Sequence, residues 1–259
     1  MDTSKKDRIA KAFVEFVEIV ERLRGENGCP WDKVQTHKSV EKNFIEEVYE
    51  VIDAIECEEF SELKEELGDV LLQVVFHAQM AKEENKFDIE DVIDAISQKI
   101  VYRHPHVFGN VKVTGVKDVL KNWEALKKKE KETKSVLEGV PKHLPALIKA
   151  YRVGEKVAQE KLDWDTLEDV FSKLDEEIKE LKYAKAEDRE EELGDVLFTV
   201  ANIARKEDID PHRALNKTIE KFADRVKKAE EMARKLHGKE LEQLNRQTVE
   251  ELYEKAKSI

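Results

Sequence analysis

The 259-residue sequence holds only two cysteines, nine glycines and five prolines, and 7% of it is aromatic. Cys29 and Cys57 are too few and too unpatterned for a disulfide framework or a structural zinc site, so a reducing compartment is expected, and with it a cytoplasmic location. No stretch approaches the ~20 apolar residues of a membrane span. The start, MDTSKKDRIAKAF, has no apolar signal-peptide core, so neither export nor membrane insertion is expected. A GxxxxGK[ST] phosphate loop, a GxGxxG turn, HExxH and a His-Asp dipeptide are all missing. The Glu-x-x-His tetrapeptide of ferritin-like di-iron sites is missing too. What the chain has in abundance is charge, with 58 Asp plus Glu against 46 Lys plus Arg and a net charge of -12. That balance argues against binding extended nucleic acid, which needs a continuous basic face.

With so little glycine and proline, apolar residues recur at helical spacing, as in Phe44, Ile45, Val48, Ile52 and Ile55, and the expected class is all-α. Helices are expected at about 4–24, 36–57, 59–83, 88–103, 117–130, 145–160, 166–185, 187–206, 210–236 and 246–257. The third of these contains VLLQVVF, apolar on nearly every face, and is expected to be central. With Leu67 taken as the centre of its main apolar face, Glu66 lies about 100° and Asp69 about 160° away, on the side of Leu72 and Phe76. A surface that mixes carboxylates with Leu72 and Phe76 is expected to be covered by another helix or subunit. Trp31 and Trp164 are expected to be structural anchors, Cys57 to lie next to the core, and Cys29 to sit in an exposed loop. His104-Pro105-His106 reads as a turn at a helix end. The charge run KKKEKETKS followed by EGVPKHLP divides the chain into expected domains 1–133 and 143–259, with a linker at about 134–142.

The two halves repeat each other. EELGDVL stands at 65–71 and again at 191–197, each time about one helix after an acidic segment, IEEVYE and then DEEIKE. Lys99 and Arg103 are matched by Lys221 and Arg225, Trp123 and Lys127 by Tyr253 and Lys257, and Trp31-Asp32 by Trp164-Asp165. The offset between matched positions drifts where loop lengths are expected to differ. Between the acidic pairs the second half is four residues shorter, Glu180 to Glu192 against Glu50 to Glu66.

On a helix, residues three apart share a face, so Glu47 pairs with Glu50, and Glu66 with Asp69. Two such pairs facing each other make a four-carboxylate pocket of the kind a hard divalent cation prefers, and Mg²⁺ is favoured, with Mn²⁺ as an alternative. Lys99 and Arg103 are placed to reach the pocket mouth, and Trp123, with Lys127 beside it, to stack on a base. The second half offers Glu177, Glu180, Glu192, Asp195, Lys221, Arg225, Tyr253 and Lys257 for the same roles. In so charged a chain a single EExxE face is usually a solvated surface. Duplication of the acidic pairs together with the basic pairs is hard to explain as solubility.

The pattern Glu46-Glu47-x-x-Glu50 with Glu66-x-x-Asp69, repeated as Glu176-Glu177-x-x-Glu180 with Glu192-x-x-Asp195, resembles the MazG nucleoside triphosphate pyrophosphohydrolases. So do the stretches NGCPWD, ELGDVLLQVVFHAQM and RHPHVF, and the resemblance runs along essentially the whole chain. It implies two tandem four-helix-bundle-type MazG domains related to the all-α dUTPases, assembled as a homodimer. The implied reaction is Mg²⁺-dependent cleavage of a nucleoside triphosphate between the α and β phosphates. In that setting the eight paired carboxylates hold metal, and Lys99, Arg103, Lys221 and Arg225 neutralise the leaving pyrophosphate. Glu46 and Glu176, or their neighbours Glu65 and Glu191, act as general base, and the sequence does not choose between them. An NTP-binding sensor with little turnover and a helical scaffold are the two alternatives.

Overall fold

The computed structural model describes residues 2–131 and 135–258, and among these every regular element is helical. The chain divides into two compact units, Met1–Lys131 and Glu132–Ile259.

The first unit contains α1 (Thr3–Arg24), the single turn α2 (Pro30–Lys33), α3 (Glu41–Glu56), α4 (Phe60–Glu83), α5 (Ile89–Arg103), the single turn α6 (Pro105–Phe108) and α7 (Val116–Lys131). α3 and α4 form a hairpin whose turn passes through Glu58 in the left-handed region, at φ 59°. α4 packs on α1, α3 and α5. The core gathers Val20, Val40, Val75, Phe76 and Met80, with Phe13, Phe16, Val17, Leu72 and Ile89 packed around them.

Leu67 does not centre the buried face of α4. It is 52% exposed, whereas Gln73, Phe76 and Met80 are buried. Asp69, Gln73, Phe76 and Met80 are spaced four, three and four apart and form one stripe, so the acidic positions stand at the open end of the core-facing side. A segment apolar all round gives no amphipathic minimum from which to read its orientation, and packing against α1 decides it.

α3 also starts later than its apolar pattern suggests. Thr36 and Ser39 each accept the other's backbone amide on their hydroxyls, at 2.9 and 3.2 Å, a local turn that competes with helix. The entry segment is held by Arg24, which donates to the carbonyls of Asp32 and Gln35 at 2.5 and 3.2 Å and pairs with Glu83 at 2.7 Å. Its guanidinium lies over the Phe76 ring, 5.1 Å from the centroid. Arg24, therefore, is the anchor expected of Trp31, which is 58% exposed. The cysteines reverse their expected settings: Cys57 is exposed at the end of α3, and Cys29 is half-buried at the start of α2. At 104–106, Pro105 opens α6 while His104 Nδ1 lies 2.7 Å from the Ile100 carbonyl, capping α5 as the turn reading expects.

The second unit contains α8 (Ala146–Ala158), α9 (Leu167–Tyr183), α10 (Arg189–Lys206), α11 (Pro211–His237), a 3-10 turn (Leu241–Gln243) and α12 (Arg246–Ala256). α9 starts at a reciprocal Thr166–Asp169 capping box, and α11 ends at Gly238 in the left-handed conformation, φ 62°. α10 packs on α9 and α8, while α11 packs on α12 around Ala229, Ala233, Leu252 and Ala256. α8 approaches α10 closely at Gly154, where a Cβ would lie 2.3 Å from Asn202 Oδ1 and 2.7 Å from Arg205 Nε. Arg205 takes the part of Arg24, binding Asp163 at 2.5 Å and Asn202 Oδ1 at 3.0 Å, and Lys206 joins it on Asp163 at 2.9 Å.

The four-residue difference between the halves lies in helix length and not, as expected, in the loop. α3 continues from Glu50 to Glu56 and α4 begins at Phe60. α9 stops at Tyr183, just after Glu180, and α10 begins at Arg189, just before Glu192. The second hairpin has lost about one turn from each helix while its connection has grown slightly longer.

Candidate active site

In the first unit Glu47 projects from α3 to meet Glu66 and Asp69 of α4, and one carboxylate oxygen of each lies within 4.8 Å of the others. The second unit repeats the grouping with Glu177 of α9 and Glu192 and Asp195 of α10, again within 4.8 Å. The antiparallel hairpin explains this register, because an ExxE face on one helix meets the ExxD face of the next. Glu50 lies outside the tight trio but acts on both Glu47 and Glu66 through charge and hydrogen bonding. Glu180 likewise presses on Glu192.

Crowding has an electrostatic consequence. Desolvation first, then the charges of Asp69 and Glu50, push the Glu47 carboxyl above its ordinary range, against a hydrogen bond from Gln73 that lowers it. Partial burial and the neighbouring Glu50 raise Glu66 in the same way, and burial, Glu180, Asp195 and Glu177 raise Glu192. Like charges held on rigid helices favour either protonation or a cation between them. The donors are all oxygens, as a hard divalent ion requires, and carboxylates from two helices leave open positions for water and phosphate. The residues present therefore fit a divalent metal ion.

The units differ in what else touches the trio. In the first, Gln73 Nε2 donates to Glu47 at 3.4 Å. In the second, Glu177 is 5% exposed and is bound by Lys173 of its own helix at 2.8 Å. Lys173 also reaches Glu176, at 2.7 Å, and hydrogen bonds to the two carboxylates raise its pKa above the ordinary lysine value. Sequence reasoning missed both partners. Gln73 was signalled as the one polar residue inside VLLQVVF, and Lys173 by its four-residue spacing from Glu177.

The basic and aromatic candidates make contacts among themselves. Arg103 is buried, forked onto Glu130 of α7 at 2.6 and 2.8 Å, with its guanidinium 5.4 Å from the centre of the Trp123 ring. His104 meets the same ring edge-on at 4.9 Å. Lys99 is exposed one turn before Arg103, and Lys127 is half-buried one turn after Trp123. In the second unit Tyr253 packs on Phe222 of α11 at 5.6 Å, and Lys257, paired with Glu254, lies over the tyrosine ring at 5.1 Å. Lys221 is exposed and Arg225 half-buried on α11. Glu46 is exposed beside Glu47 and outside the trio, whereas Glu176 is held by Lys173. Glu65 and Glu191 act on their neighbours Glu66 and Glu192 by charge.

The family model for the MazG nucleotide pyrophosphohydrolase domain matches residues 35–108 and again 165–229. The chain belongs to the MazG family. The two matches contain all eight carboxylates together with Lys99, Arg103, Lys221 and Arg225, and leave Trp123, Lys127, Tyr253 and Lys257 outside. The chain is 46% identical over 248 residues to the nucleoside triphosphate pyrophosphohydrolase/pyrophosphatase MazG of Thermotoga maritima, covering 95% of each protein. It is 42% identical over 252 residues to the nucleoside triphosphate pyrophosphohydrolase of Escherichia coli K12, covering 93% of this chain and 95% of that one. A Mycobacterium tuberculosis nucleoside triphosphate pyrophosphohydrolase is 38% identical over 154 residues, which is 59% of this chain and 45% of that protein. As in the sequence reading, this MazG chain is an all-α tandem repeat, and no helix in its described residues is long and apolar enough to cross a membrane.

Proposed function

We propose that the chain is a Mg²⁺-dependent nucleoside triphosphate pyrophosphohydrolase, converting NTP or dNTP and water to the monophosphate and pyrophosphate. The observation that carries this reading is the duplicated carboxylate trio, each within 4.8 Å on an antiparallel helix pair, in a chain of the MazG family. Glu47, Glu50, Glu66 and Asp69, with Glu177, Glu180, Glu192 and Asp195, would hold the metal. When bound, Mg²⁺, or Mn²⁺ in its place, lowers the pKa of a coordinated water and offsets phosphate charge. Glu46 and Glu176, or Glu65 and Glu191, would take the proton of the attacking water. Lys99, Arg103, Lys221 and Arg225 would neutralise the leaving pyrophosphate. For Arg103 to do so, its guanidinium must be shared between Glu130 and the phosphates. Trp123 with Lys127 and Tyr253 with Lys257 would hold the nucleoside end.

The reading also includes a cytoplasmic location, no extended nucleic-acid partner, domains 1–133 and 143–259 about the linker, and a homodimer. The dimer is supported by the apolar residues beside the carboxylates, with Ile45, Ile52, Leu67, Leu193 and Leu197 all exposed. The test is pyrophosphate release from a panel of NTPs and dNTPs with and without Mg²⁺, comparing wild type with Glu50→Ala and Glu180→Ala. Metal-dependent release lost in either variant supports the enzyme. Nucleotide binding without release would make the chain a sensor instead.

A further inference from the structure

We infer that Lys173 makes the second unit's carboxylate pocket the weaker of the two for a divalent cation; this rests on the metal-binding reading above. Lys173 stands one helical turn before Glu177 on α9, with its ammonium 2.8 Å from a Glu177 oxygen. Glu177 is one of the three residues whose carboxylate oxygens converge within 4.8 Å, so the ammonium offsets one of the charges that would attract a metal ion. Glu177 is almost fully buried, which keeps the pair close and weakens solvent screening between them.

The first unit is built differently at both matching positions. Where α9 has Lys173, α3 has Asn43, which carries no charge. Where α4 offers Glu47 the neutral amide of Gln73, α10 has Thr199. A divalent ion entering the second pocket therefore meets one less net negative charge and competes with an ammonium for Glu177. Lys173 need not leave on binding, because Glu176 already holds it at 2.7 Å, so its repulsion persists in the loaded state. A double and a single positive charge about 6 Å apart, taken at full water screening, repel enough to weaken binding roughly tenfold.

The experiment titrates Mn²⁺ alone into the full chain and follows the free ion by electron paramagnetic resonance. Two classes of site are expected, the tighter lost in Glu47→Gln and the weaker in Glu177→Gln. Lys173→Met, which keeps the aliphatic stem and removes the charge, should tighten the weaker class about tenfold. Lys173→Arg should leave it within about twofold, since the charge remains. Asn43→Lys should weaken the tighter class, giving a second arm that does not depend on how Lys173→Met folds. One class of equal sites in wild type, or a Lys173→Met affinity that is unchanged or weaker while Glu177→Gln still abolishes that class, overturns the inference and leaves the metal reading standing. No Mn²⁺ binding at either pocket overturns both.

Discussion

Replacing Gly154 with alanine tests the close approach of α8 to α10 in the second unit. An isolated helical glycine gains about 1 kcal/mol of stability when it becomes alanine. Here the new methyl would lie 2.3 Å from Asn202 Oδ1 and 2.7 Å from Arg205 Nε. Neither atom yields easily: Asn202 is fully buried and donates to the Phe198 carbonyl at 3.0 Å, and Arg205 is held by Asp163. Overpacking typically costs about 1–3 kcal/mol, and disrupting the buried Arg205–Asn202 hydrogen bond costs about 1–3 more. After the propensity gain the net loss is about 1–5 kcal/mol, a fall of roughly 4–20 °C in the Tm of that unit. Calorimetry gives the Tm, and hydrogen exchange in peptides of α8 and α10 shows whether the loss is local. Gly68→Ala and Gly194→Ala serve as controls, since a Cβ at either has nothing within 4 Å in the chain and should stabilise. A Gly154→Ala protein as stable as wild type, or more so, would refute the close-approach argument.

Arg24→Met should destabilise the first unit by about 2–4 kcal/mol, because it removes the cation from Glu83, which keeps only Gln79, and a donor from the carbonyls of Asp32 and Gln35; chemical denaturation measures it. Asp163 has a lowered pKa: burial alone would raise it, but hydrogen bonds from Arg205 and Lys206 and their charges outweigh that. Its contribution is therefore present above the ordinary value of 3.8 and is lost as pH falls through the lower folded value. Asp163→Asn should accordingly cost stability at neutral pH and progressively less in strong acid, as read from Tm against pH. Glu47, Glu66 and Glu192 are shifted the other way, so their ionisation opposes folding as pH rises, and protons compete with a cation. Mn²⁺ affinity should consequently begin to fall at a pH above the ordinary glutamate value of 4.5 as the solution is acidified, and a profile flat to below that value would contradict the crowding.

Much of this architecture was legible in the residues. Helical periodicity located ten of the helices, and the repeated EELGDVL exposed the duplicated hairpin that brings Glu47 to Glu66 and Glu177 to Glu192. What escaped was information carried by distant partners. Nothing local to Arg103 says that Glu130 holds it, and nothing local to Trp31 says that Arg24 takes over its anchoring role. α4 was misoriented because Val70 to Phe76 is apolar on every side except at Gln73. The start of α3 was misplaced because two hydroxyls, at Thr36 and Ser39, outweigh an apolar spacing that continues through them. Lys173 was overlooked for a simpler reason: among so many charges, one more lysine at helical spacing carries little contrast.

The shortened second hairpin bears on how such a chain can be altered. Trimming both helices by about a turn leaves the ends that bear the carboxylates facing each other as before, so the distance from trio to hairpin tip is a free parameter of the design. The tip between Tyr183 and Arg189, and its longer-stemmed counterpart at Cys57–Glu59, are therefore places to graft a reporter loop, an affinity tag or a cross-linking handle without retuning the chemistry beneath. Cys57, exposed at such a tip, already supplies a thiol for attaching a probe.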